Sequence, residues 1–391
     1  MRVGLVVPHI FMHRDILPKV IFSPGKLALE LAEGLQAQGV DVTLFSPGPV
    51  DTTVRNITAD LRYFEQELAG RDDTYIDLLK KHPFTFITLS RQVQSELIAK
   101  AYAMANNDEF DIIHIYTNEE DIALPFASLC IKPVVFTHHD PFNFLVKYKN
   151  VFPKYASLNW ISMSYAQRAT MPAETNWVGN VYHGIPTDQL HPVALPTDDY
   201  IAYIGRIIQP KGVHLAIQAV KLYNKKATRP LTLKIAGKHY ADHKKDTYWN
   251  EVIKPLVDNE EIQYVGFLDR HESKQTFLAN ATCTIVPSIF AEPFGLAAVE
   301  SLACGTPVVC LDSGALPEII KTGKTGHVVE KIIQADGTLD DTATARALAT
   351  AIAEQTSATR EVCRKTFAQQ FTTDRMCREH LAIYRRLLTT T

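Results

Sequence analysis

Residues 200–212 read YIAYIGRIIQPKG: an apolar run, Tyr200–Ile204, then a turn opened by Gly205 that carries Arg206, Pro210 and Lys211 to Gly212. Five apolar residues closed by a glycine predict a buried strand, and a helix is expected to begin near Gly212. Strand, turn and helix together put Arg206 and Lys211 at a strand's carboxyl end, beside a helix N-terminus. Backbone N–H groups and the helix dipole favour an anion there. Arginine can fork two phosphate oxygens, while lysine supplies a compact charge. Two solvated surface cations would look the same in isolation, so the surrounding chain has to decide.

The same rhythm runs outward in both directions. Downstream, strands are expected at Leu231–Ala236, Ile262–Val265, Thr282–Pro287, Pro307–Leu311 and His327–Val329, with a helical tail from about Thr342 that ends in Asp374–Leu388. Upstream, they are expected at Val3–Pro8, Val42–Phe45, Phe84–Leu89, Asp111–Tyr116, Pro133–Thr137 and Trp160–Ser164. The segment Lys26–Gln38, with Leu27, Leu31 and Leu35 on one face and Gly39 behind it, predicts a capped helix. Near-continuous apolar strands alternating with helices mean parallel sheets covered on both faces. The rhythm breaks at Gly184–Asp199, which carries three prolines and predicts a linker. The expected organisation is therefore a first domain over 1–183, a linker over 184–199, a second domain over 200–372 and a last helix over 373–391 that packs back on the first domain. Two doubly wound α/β domains of this kind imply a ligand cleft between them, at the carboxyl ends of the strands.

The 391 residues fit two large domains at roughly 150 residues each, allowing for connections. Lys+Arg 40 against Asp+Glu 43 leaves a net charge of −3, so no broad basic field exists to hold nucleic acid. The start, Met1-Arg2-Val3-Gly4-Leu5-Val6-Val7-Pro8, has too short an apolar run for a secretory signal and suits a first strand. Glu300 interrupts Phe294–Leu311, the nearest approach to a membrane span. Six cysteines without a C-x-x-C pair predict buried free thiols in a reducing cytoplasm.

A second segment adds carboxylates: Pro287-Ser288-Ile289-Phe290-Ala291-Glu292-Pro293-Phe294-Gly295-Leu296, continuing to Glu300 and Cys304-Gly305-Thr306-Pro307. Pro293 stops any helix before it, and Gly295 lets backbone approach a ligand. Glu292 then lies in the loop and Glu300 about a turn and a half into the next helix. Carboxylates so placed suit different hydroxyls of one elongated polar ligand. The apolar neighbours Val299, Leu302 and Ala303 imply that Glu300 needs a partner.

Glu292-Pro-Phe-Gly-Leu with Glu300 resembles the E-x7-E pattern of retaining glycosyltransferases of family 4, which have the GT-B fold. Gly205-Arg206 with Lys211-Gly212 matches that family's diphosphate segment, and Tyr182-His183-Gly184-Ile185 and Pro317-Glu318 extend the resemblance. It implies a hexosyl transfer from a nucleotide-diphosphate sugar, with no metal and no other cofactor. Arg206 and Lys211 would neutralise the departing diphosphate. Phe294, Gly295 and Leu296 would offer backbone N–H groups, Glu292 would hold sugar hydroxyls and Glu300 the ribose hydroxyls. Phe267 and Leu268, in Val265-Gly266-Phe267-Leu268, would line the base pocket.

In the first domain, Thr137-His138-His139 resembles the family's T-x-H at a strand end, which selects His139 as the catalytic contact to the donor sugar. His114 reads as core. The family's Gly-Gly pair after strand one is replaced by Ser23-Pro24-Gly25-Lys26, so Gly25 alone is left to bring backbone to phosphate. Loop Ile10–Phe22, with His13, Arg14 and Lys19, is a place for acceptor recognition. Gly323-Lys324-Thr325 imitates a P-loop end, but position 318 is glutamate and a strand is expected to follow. Lys221, Lys225, Lys226, Lys234, Lys238, Lys244 and Lys245 make a local basic region, read first as solvated and second as a dock for an anionic membrane surface. The acceptor is a carbohydrate, a lipid reached by peripheral membrane contact, or a small molecule. A nucleotide-sugar 2-epimerase-like isomerase and an inactive nucleotide-sugar-binding module are the alternatives.

Overall fold

The computed structural model describes residues 1–391 apart from 118–119, 144, 195–199, 240–245, 269, 355–358 and 391. Lys244, Lys245 and the end of the expected linker lie outside the described residues. The chain divides into two units, Met1–Gly184 with Thr373–Thr391, and Ile185–Thr372.

The first unit is built on seven strands: β1 (Arg2–Val6), β2 (Asp41–Ser46), β3 (Arg55–Thr58), β4 (Ile112–Thr117), β5 (Val134–His138), β6 (Asn159–Ser162) and β7 (Trp177–Asn180). They lie in the order β3-β2-β1-β4-β5-β6-β7, every pair parallel. The second unit has β8 (Tyr200–Ile204), β9 (Thr232–Ala236), β10 (Ile262–Gly266), β11 (Cys283–Val286), β12 (Val308–Leu311) and β13 (Gly326–Val329). Their order is β10-β9-β8-β11-β12-β13, again all parallel. Ile201, Leu233, Ile235, Ile285 and Val309 fill that sheet's core. A fully buried side chain of this size contributes about 1.5–3 kcal/mol.

Helix Ser23–Ala37 follows β1 and buries Leu27, Leu31 and Leu35 as their spacing requires. Gly39 ends it at φ +80°, a conformation that glycine adopts without a side-chain clash. The strand expected at Phe84–Leu89 is instead the start of a 24-residue helix, Pro83–Asn106. Its rich β-forming composition is overridden because Phe86, Ser90, Val93, Leu97 and Ala101 share one buried face, while Phe84 and Ile87 point outward. Pro83 sits in the first turn, where its missing N–H costs nothing. The short strands β3 and β7 went unforeseen because RNIT and WVGN are only half-buried and carry little apolar signal.

The start of the expected linker is seated in the second unit. Ile185 pairs with Thr372, Leu190 is buried, and the Arg364 guanidinium donates to Leu190 O at 2.8 Å and Thr187 O at 3.1 Å. The last helix, Thr373–Thr390, packs on the first unit: Gln38 donates to Asp374 O at 3.0 Å, and Cys377 occupies the space left by Gly34. No helix among the described residues is long and apolar enough to cross a membrane.

Candidate active site

The two segments singled out from sequence meet at the carboxyl end of the second sheet. After β8 the chain turns through Gln209–Lys211 and enters helix Val213–Asn224, with Gly212 as the hinge at φ +69°. A Cβ on Gly212 would lie 2.0 Å from Pro287 O, so only glycine allows this turn to approach the strand-end loop. Ile289 N donates to Pro210 O at 2.8 Å and locks the two loops together.

That contact brings Lys211 to Glu292. The ammonium lies 2.6 Å from Glu292 Oε1 and 4.7 Å from the centre of the Phe290 ring. Ser288 Oγ donates to the same carboxylate oxygen. Glu292 is only 6% exposed, so this pair is protected from full solvent screening. Its backbone is fixed as well, because Ala315 N donates to Glu292 O at 2.9 Å. On the far side of the loop, Lys331 Nζ donates to Ile289 O at 3.2 Å and to Ser313 Oγ at 3.3 Å.

The remaining second-unit residues follow along the chain. Arg206 is exposed and forms no ion pair among the described residues, while its carbonyl accepts from Tyr203 Oη at 2.8 Å. Gly295, at φ +112°, starts helix Leu296–Ala303, which has no side-chain cap. Phe294 turns its ring inward, 6.2 Å from that of Phe371, so its side chain belongs to the core. Glu300 Oε1 is held by Lys274 Nζ at 2.7 Å. Phe267 is exposed beneath Lys238 Nζ, 4.1 Å above its ring. Leu268 lines an open groove of about 580 Å³ together with Tyr200, Lys234, Val265, Arg270 and Phe277. Neither Lys211 nor Glu292 lines that groove.

The first unit presents a different environment. His138 is fully buried among Phe142, Tyr148 and Phe152, ring centres 4.6–4.9 Å away. Strand alternation turns its neighbour His139 to the other side, where it stacks on His183 at 4.9 Å and 10°, with Tyr116 edge-on at 4.4 Å. His139 Nε2 is buried without a hydrogen-bond partner among the described residues. Burial, reinforced by His183, pushes its pKa well below the ordinary value. His114 bonds Tyr384 Oη through Nδ1 at 2.7 Å and Thr137 Oγ1 through Nε2 at 2.8 Å, a core role. His380 Nδ1 donates to Met376 O at 2.9 Å. Burial lowers His183 to about 3 and His380 to about 4.

Gly25 lies in the first turn of its helix, and its N–H donates to Phe22 O at 3.2 Å. The space beside its Cα is taken by Met12 Sδ and the Phe22 ring, so a side chain here would clash with its own loop. His13 is likewise buried in loop 10–22, with Nδ1 accepting from Asp15 N at 3.1 Å. Ser288, Lys274, Lys331 and His183 are the participants that sequence reasoning missed. Ser288 and His183 lay inside quoted segments that gave them no role, but Lys274 and Lys331 are joined to their partners only by the fold.

Two families match the chain: glycosyl transferases group 1 over residues 189–365, and glycosyltransferase family 4 over residues 25–177. Across 127 residues it is 37% identical to a glycogen synthase of Mycobacterium tuberculosis, a stretch covering 32% of this chain and 29% of that enzyme. The chain thus spans less than a third of that relative's length. Sucrose-phosphate synthase from Thermosynechococcus elongatus superposes with a TM-score of 0.73 at 18% identity, over 100% of both chains. Anabaena HepE in complex with UDP-glucose gives a TM-score of 0.63 at 16% identity, over 100% of this chain and 99% of its own. Both likenesses identify the fold as GT-B, with two Rossmann-like units.

Proposed function

Because the chain belongs to the group 1, family 4-type glycosyltransferases, we propose that it transfers a hexosyl group from a nucleoside-diphosphate sugar to an acceptor, retaining anomeric configuration and using no bound metal. The observation that carries this reading is the Lys211–Glu292 pair, locked in a loop junction at the carboxyl end of the second sheet. Negative charge grows on the diphosphate as the glycosidic bond breaks. Lys211 and Arg206 are cations already in place for that charge, and the uncapped start of helix Leu296–Ala303 adds the backbone amides of Gly295 and Leu296. Glu292 keeps Lys211 oriented and takes sugar hydroxyls, Glu300 takes the ribose hydroxyls, and Phe267 and Leu268 flank the base.

His139 contacts the reacting sugar. Its low pKa keeps the imidazole neutral at physiological pH, so it accepts or donates a hydrogen bond without adding charge. The acceptor, whether carbohydrate, lipid or small molecule, attacks from the face the diphosphate leaves, which preserves configuration without a protein nucleophile.

The test is a thermal-shift series with UDP, GDP, ADP and their sugar conjugates in the presence of EDTA, followed by donor hydrolysis and NMR of the released or transferred sugar. UDP-glucose is the first donor to try. A nucleotide at about a hundredfold over its dissociation constant adds about 2.7 kcal/mol. Absence of any shift would return the chain to the epimerase-like or inactive-module alternatives, and an inverted anomer would remove the retaining mechanism.

A further inference from the structure

Glu300 is the fifth residue of a helix in which Ala298, Val299, Ser301, Leu302 and Ala303 are buried, where a bare carboxylate would be costly. Its partner comes from a separate element. Lys274, the fourth residue of helix His271–Ala279, reaches across to place Nζ 2.7 Å from Glu300 Oε1. The two side chains are 24% and 19% exposed, so both are held, yet each keeps an accessible edge. The carboxylate in turn raises the Lys274 pKa, so the ammonium stays charged.

The arrangement repeats what is seen at Glu292. Each carboxylate of the E-x7-E pair is gripped through Oε1 by a lysine from a different element, Lys211 for Glu292 and Lys274 for Glu300. Pinning one oxygen fixes the plane of the carboxylate and leaves Oε2 as its remaining acceptor. The positive charge also cancels the repulsion a lone carboxylate would exert on an anionic nucleotide nearby.

We propose that Lys274 is a positioning residue that aims Glu300 Oε2 at a ribose hydroxyl of the nucleotide and thereby makes the site selective for ribonucleotides over deoxyribonucleotides. This rests on the reading that Glu300 holds the ribose. A hydroxyl donating to a fixed, charge-compensated carboxylate is discriminated from its absence by about tenfold or more. The ribose lies away from the reacting carbon, so the loss falls on donor KM rather than on kcat.

The experiment measures binding of UDP, GDP and ADP, each against its 2′-deoxy and 3′-deoxy counterparts, to the wild-type chain and to Lys274→Met, Lys274→Arg, Glu300→Gln and the Lys274→Met/Glu300→Gln double variant. Melting curves confirm that each is folded. Wild type is expected to prefer one ribonucleotide at least tenfold over one of its deoxy forms. Lys274→Met loses most of that preference, Lys274→Arg keeps it, and the double variant is no worse than Glu300→Gln alone. If Glu300→Gln loses the preference while Lys274→Met keeps it, the role of Lys274 is overturned and the ribose reading stands. If Glu300→Gln keeps it, the ribose reading falls and takes this inference with it. Additive losses in the double variant would also overturn it, since Lys274 would then act independently of Glu300.

Discussion

The strand-end loops of the second unit and the histidine cluster of the first solve opposite electrostatic problems. In the second unit, Lys211–Glu292 and Lys274–Glu300 hold their charges by pairing them, and Arg206 stays exposed in the turn that carries Lys211. In the first, His114, His139, His183 and His380 are buried and near one another, so protonating any of them is opposed by burial and by its neighbours. Charge is stored in one region and refused in the other. A diphosphate needs the former, and a neutral hydrogen-bonding contact to a sugar suits the latter.

The most disruptive way to break this contrast is Lys211→Met. It removes a cation from the proposed diphosphate site and strands the buried Glu292, so turnover should fall at least roughly tenfold. Stability should fall by about 2–4 kcal/mol, toward the lower end because the lysine is partly exposed. Urea unfolding beside a donor-hydrolysis assay would check both. Arg206→Met sharpens the point: the same assay should show a comparable loss of turnover with a midpoint within about 0.5 kcal/mol of wild type, because the guanidinium is exposed and forms no ion pair among the described residues. A large drop in stability would mean that Arg206 is structural.

The histidine cluster predicts a pH effect with a definite sign. Each folded pKa lies below the usual 6.5, so the unfolded chain takes up protons that the folded chain refuses. Stability is complete above about pH 6.5 and declines as pH falls toward about 4 for His380 and about 3 for His183. Each histidine contributes about 1.4 kcal/mol per pH unit to that slope. Chemical denaturation at pH 7.5 and 5.5 would measure it, and His380→Phe should flatten it by one proton's share. An unchanged slope would remove His380 from the set. The smallest effect belongs to Phe84→Ser. Phe84 is 84% exposed on its helix, so the melting temperature should barely move, whereas Phe86→Ser, on the buried face, should lower it by several degrees. The reverse ranking would point back to the strand first expected there.

The amino-acid sequence by itself determined the strands β8–β13, because short apolar runs separated by helical segments, four of the six ending at glycine or proline, leave few other readings. It also singled out the residues of the proposed site: Arg206 and Lys211 in the turn after β8, Glu292 in the loop before helix Leu296–Ala303 and Glu300 within it. Three things were decided only by tertiary structure. Phe84–Leu89 has strand composition but helical burial, and burial is a property of the assembled unit. Gly25 has Met12 and Phe22 packed against the space a side chain would need, a constraint that no local pattern shows. The partners of the carboxylates came last, because a charge in an apolar helix announces only that it needs a counter-ion. Glu300 found its own 26 residues away, at Lys274. Local pattern follows from neighbours in the chain, whereas the pairing of a buried charge follows from neighbours in space.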